Sequence, residues 1–436
     1  MNSNMITNFD KFEKINNDIE ELKSIRAKNF NIFKKKGFPT KKEESWKYAD
    51  LKTIISVNLN KLEIPNENIN SKYNSEWLLK NFEHNQVILV NGNFVSSDFH
   101  FEIKEKIIIK PLKKALKDKK DFDKIKNFFA HQQNSLISLN NALAQDGIFL
   151  EIKDNYTFNK PLIIYNFFNK LSENKLINSK CFILVGKNSK INVLEDHKSE
   201  NNIKYFYNSS HNYLIKKNSI LKKFSLNKSY DHSYNYHFVN VKNYSNSIFE
   251  NFLFLSGSSF TKNEIYCDLL ESFSSCFINA LFFINNQQHH ELKTNVNHMY
   301  ENCKSSQLVK SALLNKSSGT YQGKIYVQKN AQRTDGYQLS KALILSKEAT
   351  FNSKPELEIY ADNVKCSHGS TTGNIDQNSI FYLMSRGLSR EQANKMLVEG
   401  FLNEAIETIT DVNIKSLILS MFTDKINNSK FEIDAN

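Results

Sequence analysis

At 436 residues the chain is too long for one ordinary compact core, yet with 5 Pro and 12 Gly it has no linker that would divide it. Its 40% hydrophobic and 24% charged residues exclude wholesale disorder. The formal charge of +12 comes from Lys spread end to end beside many Asn and Ile, without the clustered Arg and aromatics of a nucleic-acid footprint.

Met1 to Glu21 is polar and has no apolar signal core. No later run approaches the roughly 18 apolar residues of a membrane span. A soluble protein of the cytoplasm is expected, with neither nucleic acid nor membrane as partner. Phe12, Ile15, Ile19, Leu22, Ile25 and Phe30 recur at helical steps, which predicts a helix from Phe12 to Lys36 that Gly37-Phe38-Pro39 stops. After Glu44-Ser45-Trp46-Lys47-Tyr48 come short mixed elements up to Phe128–Ala144. Residues 1–146 read as an N-terminal helical and mixed cap region.

From Gly147 the period changes to two, with Ile148, Leu150 and Ile152 on one face and Phe149 and Glu151 on the other. A small polar corner followed by an apolar strand recurs at Asn188-Ser189, Asn218-Ser219, Asn246-Ser247, Ser274-Ser275 and Ser305-Ser306. That spacing of about 28 to 30 residues lies in the range of solenoid repeats. No helix-length pattern interrupts the run, so residues 147–375 read as mainly β: stacked rungs, forming a β-helix or a β-sandwich. Rungs bury their apolar faces only against neighbours, so both ends need covers, which the flanking helical regions would supply.

Residues 376–436 return to helix. Asp376 caps a segment through Phe381-Tyr382-Leu383-Met384 that Gly387 ends, and Ser389 with Gln392 forms a capping box. The helix it opens is apolar at Ala393, Met396, Leu397, Phe401 and Ala405.

Chemistry is sparse. Cys181, Cys267, Cys276, Cys303 and Cys366 are odd in number and never closer than nine positions, which fits a reducing compartment and neither a disulfide framework nor a zinc knuckle. Gly319 to Ile325 is one residue short of a phosphate loop and lacks its Ser or Thr, so ATP hydrolysis would have to come from a partner. His290-Glu291 lacks the second His of a metalloprotease helix, Thr294 standing there instead. Rival readings, a β-helix polysaccharide-processing enzyme and a basic nucleic-acid-binding solenoid, lack an acidic cluster and an Arg-aromatic patch respectively.

The richest stretch is Pro355-Glu-Leu-Glu-Ile-Tyr-Ala-Asp-Asn-Val-Lys-Cys-Ser-His-Gly369. Alternation makes it a strand pair near the solenoid end with Val364, Cys366 and His368 on one side. Thiolate and imidazole are both credible iron ligands, while Cys366 equally reads as a core residue continuing the Val364 face. Two ligands cannot close an iron site, so His368 as a metal ligand would share the metal with a partner chain.

This stretch, with Gly369-Ser-Thr-Thr-Gly373 and Phe381-Tyr-Leu-Met-Ser-Arg-Gly387, closely resembles the signature of the SufB/SufD family. The Cys-Ser-His-Gly form resembles its SufD branch, against a His-Glu pair in the SufB branch. Gln288-His-His-Glu291, Leu139-Asn-Asn-Ala142, Asp146-Gly147 and Glu44 to Tyr48 add to the likeness. The resemblance implies a right-handed parallel β-helix core and a non-catalytic scaffold for iron-sulfur cluster assembly. It implies a SufB-type subunit as heterodimer partner and a SufC-type ABC ATPase docked on the C-terminal helices through Phe381, Tyr382, Arg386 and Gly387. A SufB-like or homodimeric paralogue is the alternative within the family, with a homodimer when the chain is alone. No tightly bound cofactor is implied for the isolated chain, and a transient iron-sulfur cluster for the complex. His368 matches the residue tied to that cluster, with Cys366 its neighbour. His197 and His211 lie outside the signature, and changes there are expected to do little.

Overall fold

The computed structural model describes residues 6–7, 18–59, 61–65, 72–129, 134–227 and 232–429. The first helix, α1, runs Glu20–Lys36 and α2 runs Leu51–Asn58; Phe12 and Ile15 lie outside the described residues. A hairpin of β1 (Asn85–Val90) and β2 (Asn93–Asp98) and a strand β3 (Ile107–Pro111) precede α3 (Ser135–Leu143).

The solenoid then climbs in eight two-strand rungs. The first two are β4 (Asp146–Ile152) with β5 (Leu162–Phe168), and β6 (Leu176–Val185) with β7 (Lys190–Ser199). Next come β8 (Tyr205–Ile215) with β9 (Ile220–Asn227), and β10 (Ser233–Asn243) with β11 (Ile248–Leu255). They are followed by β12 (Phe260–Leu269) with β13 (Ser275–Ile284), and β14 (His289–His298) with β15 (Lys304–Leu313). The last are β16 (Ser318–Val327) with β17 (Thr334–Ile344), and β18 (Thr350–Ile359) with β19 (Val364–Gly373). Even-numbered strands stack parallel in one sheet, here sheet A, and odd-numbered strands in sheet B. This is a parallel β-helix, and the sandwich alternative falls away. The rungs between Glu200 and Tyr236, which the sequence supported by periodicity alone, pair in continuous register.

Corners explain the repeat. Asn155, Asn188, Asn218 and Asn246 each take a left-handed φ between 53° and 60°, which Asn tolerates because its amide bonds locally. Their side chains form a ladder of amide hydrogen bonds at 2.8, 2.9 and 3.2 Å. The next corners differ from the sequence reading. The left-handed residue is Phe273, one before Ser274, and then Asn302, so that Ser305 aligns with Cys276 inside the strand. Small polar residues occupy strand interiors here as well as corners, which is why their pattern slipped.

Strands are apolar on both faces, so the solenoid needs lateral cover. Helices α1 and α3 and the Trp46 segment lie on sheet A, over Phe206, Tyr236, Phe238 and Phe260. Asn140 on α3 staples that layer, donating to Ser179 O at 3.0 Å and Asn208 O at 2.8 Å. Gly147 is obligatory next to it: a Cβ there would lie 2.0 Å from Lys180 O. Three C-terminal helices follow, α4 (Gln377–Ser385), α5 (Arg390–Ile406) and α6 (Val412–Asn427). Helices α5 and α6 lie along sheet B, with Val398, Leu402 and Phe422 among Phe252, Phe254 and Phe283. They do not roof the end of the solenoid, as the sequence had suggested. At the N-terminal end β3 and β2 close the sheets by antiparallel pairing, whereas β18 and β19 are terminal strands. Among the described residues no helix is long and apolar enough to cross a membrane.

A buried ion pair locks the N-terminal segment to sheet A. Lys262 is 0% exposed, lies 4.3 Å over the Trp46 ring and donates to Ser45 O and to Glu291. Burial pushes the Glu291 carboxyl up, but Lys262 and His289 outweigh this and bring it down to about 2. A depressed carboxyl contributes stability that is present above its unfolded pKa, about 4.3, and lost as pH falls through the folded one. Wild-type stability is therefore expected to drop between about pH 4 and 2 by roughly 2–3 kcal/mol more than that of Glu291→Gln in urea unfolding. Equal slopes would contradict this.

Candidate functional site at the open end of the solenoid

The signature stretch occupies the last rung. Val364, Cys366 and His368 alternate with outward residues on β19, in register with Thr334, Gly336 and Gln338 of β17. Cys366 is half-buried and packs with Val364 and Leu357 against Ile325, Val327 and Ala361. Burial pushes its thiol up and the nearby Asp335 adds to this, against a smaller opposing effect of the Gly336 backbone N–H. His368, two residues on, is exposed, and among the described residues no rung lies above β19. The backbone edges of β18 and β19 flank it, followed by the exposed run Ser370 to Gly373. A Cβ at Gly373 would meet nothing within 4 Å, so the chain's own packing does not require glycine there.

Among the described residues no group of three or more His, Cys, Asp and Glu side chains is placed to hold a metal ion. His368 would bind metal only with ligands from elsewhere. The rejected motifs stay rejected: Gly319 to Ile325 is strand β16, and His290 and Glu291 are buried on β14.

The C-terminal helices present a second surface. Helix α4 buries only Ile380, while Phe381 is 74% exposed, Tyr382 57% and Met384 42%. The Arg386 guanidinium stacks 5.2 Å from the Tyr382 ring, and Gly387 closes the turn with φ 95°. The capping box of Ser389 and Gln392 forms as the sequence predicts. Of the apolar positions on α5, Ala393 and Ala405 are buried together with Val398 and Leu402, whereas Met396 is 57% exposed. The buried face of α5 is the one turned to sheet B and α6.

A buried polar cluster that no local sequence pattern marks lies within the rungs. Inside the solenoid Glu195 accepts from His211 Nδ1 at 2.8 Å and from Lys223 Nζ at 2.9 Å, with His197 Nε2 3.9 Å away. His237 lies beyond, its ring 5.2 Å from that of His197 and its Nδ1 2.7 Å from Ser209 Oγ. All five side chains are at most 9% exposed. Burial pushes the Glu195 carboxyl up, and His211, Lys223 and His197 more than offset this, so it is held well below the usual range. Burial lowers the His211 and His237 pKa values, while Glu195 works in the opposite direction on both. The available signal was phase: Glu195 and His197 fall on the inward positions set by Ile191 and Val193. His197 and His211 are thus not the inert controls that the sequence suggested.

Comparisons with known proteins agree with the signature. A family model described as the SufBD core domain of SUF system FeS cluster assembly matches residues 167–401, and one for the SufBD protein N-terminal region matches residues 3–164. The chain is 26% identical over 402 residues to iron-sulfur cluster assembly protein SufD of Escherichia coli, covering 89% of this chain and 90% of that one. It is 25% identical over 286 residues to the chloroplastic protein ABCI7 of Arabidopsis thaliana, covering 64% and 60% of the two chains. A 105-residue stretch is 41% identical to a SufBD family protein of Synechocystis, covering 24% and 23%.

Proposed function

Because the chain belongs to the SufBD family of SUF-system iron-sulfur cluster assembly proteins, we propose that it is a SufD-type scaffold subunit, without enzyme activity of its own. In this reading a SufB-type subunit covers the open rung, and the transient cluster forms between the two chains as cargo. The observation that carries the proposal is the terminal rung: His368 stands exposed between two strand edges that end their sheets. Such edges favour pairing with another chain's strands, and backbone hydrogen bonds there would set the partner's register. His368 would act as a ligand or proton-handling group, since imidazole can bind borderline metals and carry a proton. Cys366 would stay its half-buried neighbour. The five free cysteines fit a reducing compartment such as the cytoplasm.

A SufC-type ATPase would dock on α4, where Phe381 and Tyr382 form an exposed apolar patch rimmed by Arg386. Deleting the helices is a poor test, because α5 and α6 cover the apolar outer face of sheet B. Phe381→Ala with Tyr382→Ala leaves that face covered. Co-expressed with SufB-type and SufC-type partners, this double variant is expected to retain the SufB-type chain and lose at least tenfold of the ATPase on a column. Retention of the ATPase at full strength would remove the docking assignment. The same strand edges can pair with a second copy when no partner is present, so light scattering should give a homodimer alone and a heterodimer with the SufB-type chain. A monomer in both conditions would overturn the edge-pairing reading.

A further inference from the structure

The two strand edges at the open end are not equivalent. In a parallel ladder the N–H and C=O of one residue point to the same neighbouring strand, and the direction alternates along the chain. Thr350 N donates to Ser317 O and Tyr360 N to Val327 O, so the even-numbered residues of β18 face back into sheet A. Phe351, Ser353, Pro355, Leu357 and Ile359 therefore face the open edge, and the central one has no N–H to offer. Lys304 and Asp335, which share a register column with Lys365, donate back to Ser274 O and Cys303 O. By the same alternation Cys366, His368, Ser370 and Thr372 of β19 face the open edge, each with its N–H.

Side chains widen the difference. Pro355 stands among Lys354, Glu356 and Glu358, and Lys354 is held by Glu44 and Glu356. Proline and charge both blunt an edge against strand addition. From Cys366 to Gly373, β19 carries no proline and no Asp, Glu, Lys or Arg. On the outer face of sheet B two register columns run Leu308, Leu339, Gly369 and Ala312, Leu343, Gly373. Each apolar column thus ends on a residue without a side chain. A Cβ at Gly369 would meet only Leu339, at 3.4 Å, and one at Gly373 nothing within 4 Å. Leu339 and Leu343 are left half-buried.

We propose that the partner chain adds its strand to β19 and not to β18, and that this strand carries bulky apolar side chains at two positions four residues apart, lying over Gly369 and Gly373 against Leu339 and Leu343. A large cross-strand side chain supplies the packing that a strand glycine lacks. Pro355 keeps the other edge from taking up a strand along its whole length. A second copy of this chain fits less well: its β19 would bring Ser, Thr and Gly to the glycines, and its β18 is interrupted by the same proline. The proposal rests on the reading of the open rung as the subunit interface, and adds which edge is used and what the added strand carries.

A proline at an edge-facing position removes an N–H that the chain itself does not use, so it tests the edge without breaking the ladder behind it. When the full chain is co-expressed with the SufB-type partner, Ser370→Pro on β19 is expected to lose about tenfold or more of the retained partner, and Ser353→Pro on β18 less than about twofold. Leu339→Ala should lose about fivefold by removing one apolar contact. Urea midpoints identify a variant that fails to fold, and if Ser370→Pro does so, Thr372→Pro, also edge-facing, takes its place. An equal or larger loss from Ser353→Pro would overturn the choice of edge and leave edge pairing standing. Full retention by Leu339→Ala would overturn the apolar contacts over the glycines. Full retention by both proline variants would remove the strand-edge interface itself. Displacement of the bound partner by an equal amount of the free chain would make a second copy the occupant.

Discussion

Lys223→Met is expected to cost about 4 kcal/mol in urea unfolding and to reverse the slope of stability against pH near neutrality. Lys223 Nζ lies 2.9 Å from the Glu195 carboxylate, beside His211 at 2.8 Å, and Lys223 and Glu195 are both buried. Removing it leaves a buried carboxylate whose desolvation the remaining His211 contact offsets only in part. In the wild type the His211 pKa is lowered by burial, so the unfolded state binds more protons and stability rises as pH increases through about 6.5. In the variant Glu195 must recruit His211 as its counterion. The folded His211 pKa then rises above its unfolded value, and its contribution is present below about pH 6.5 and lost as pH rises through the new one. The variant should therefore be more stable at about pH 6 than at pH 8, opposite to the wild type. A loss under about 1 kcal/mol with an unchanged slope would mean that the interior cluster is far better solvated than its burial implies.

His368→Ala is expected to fold and assemble normally while cluster formation with the SufB-type and SufC-type partners falls at least tenfold. Its imidazole is exposed, so truncation leaves no cavity and removes no covered contact. His100→Ala is the matched control, since His100 is equally exposed but lies beyond β2 at the opposite end of the solenoid. Histidines of the interior are unsuitable, because His197 and His211 belong to the Glu195 network. If His368→Ala forms clusters at the normal rate, or fails only because the complex falls apart, the residue is architectural.

The helices and rungs were legible in the sequence because their signals are local. A two-residue period marks a strand, Asn at a fixed spacing marks a left-handed corner, and Ser389 with Gln392 marks a helix start within four residues. The signature around His368 was legible for the same reason, being one continuous stretch on β18 and β19.

What lies beside what was settled only by the tertiary structure. Met396 and Val398 are two positions apart on one helix, and packing against sheet B and α6 decides that the second is buried and the first exposed. The slipped corner at Asn302 is fixed by pairing with the rung before it. Glu195, Lys223 and His237 come from three different rungs, so no spacing in the chain announces that they share one interior. The open end follows from the same cause: whether a helical segment roofs the solenoid or lies along it depends on where apolar surface remains uncovered. Here the helices cover the outer face of sheet B, with Phe252, Phe254 and Phe283, while the edge of the last rung is backbone that another strand can satisfy.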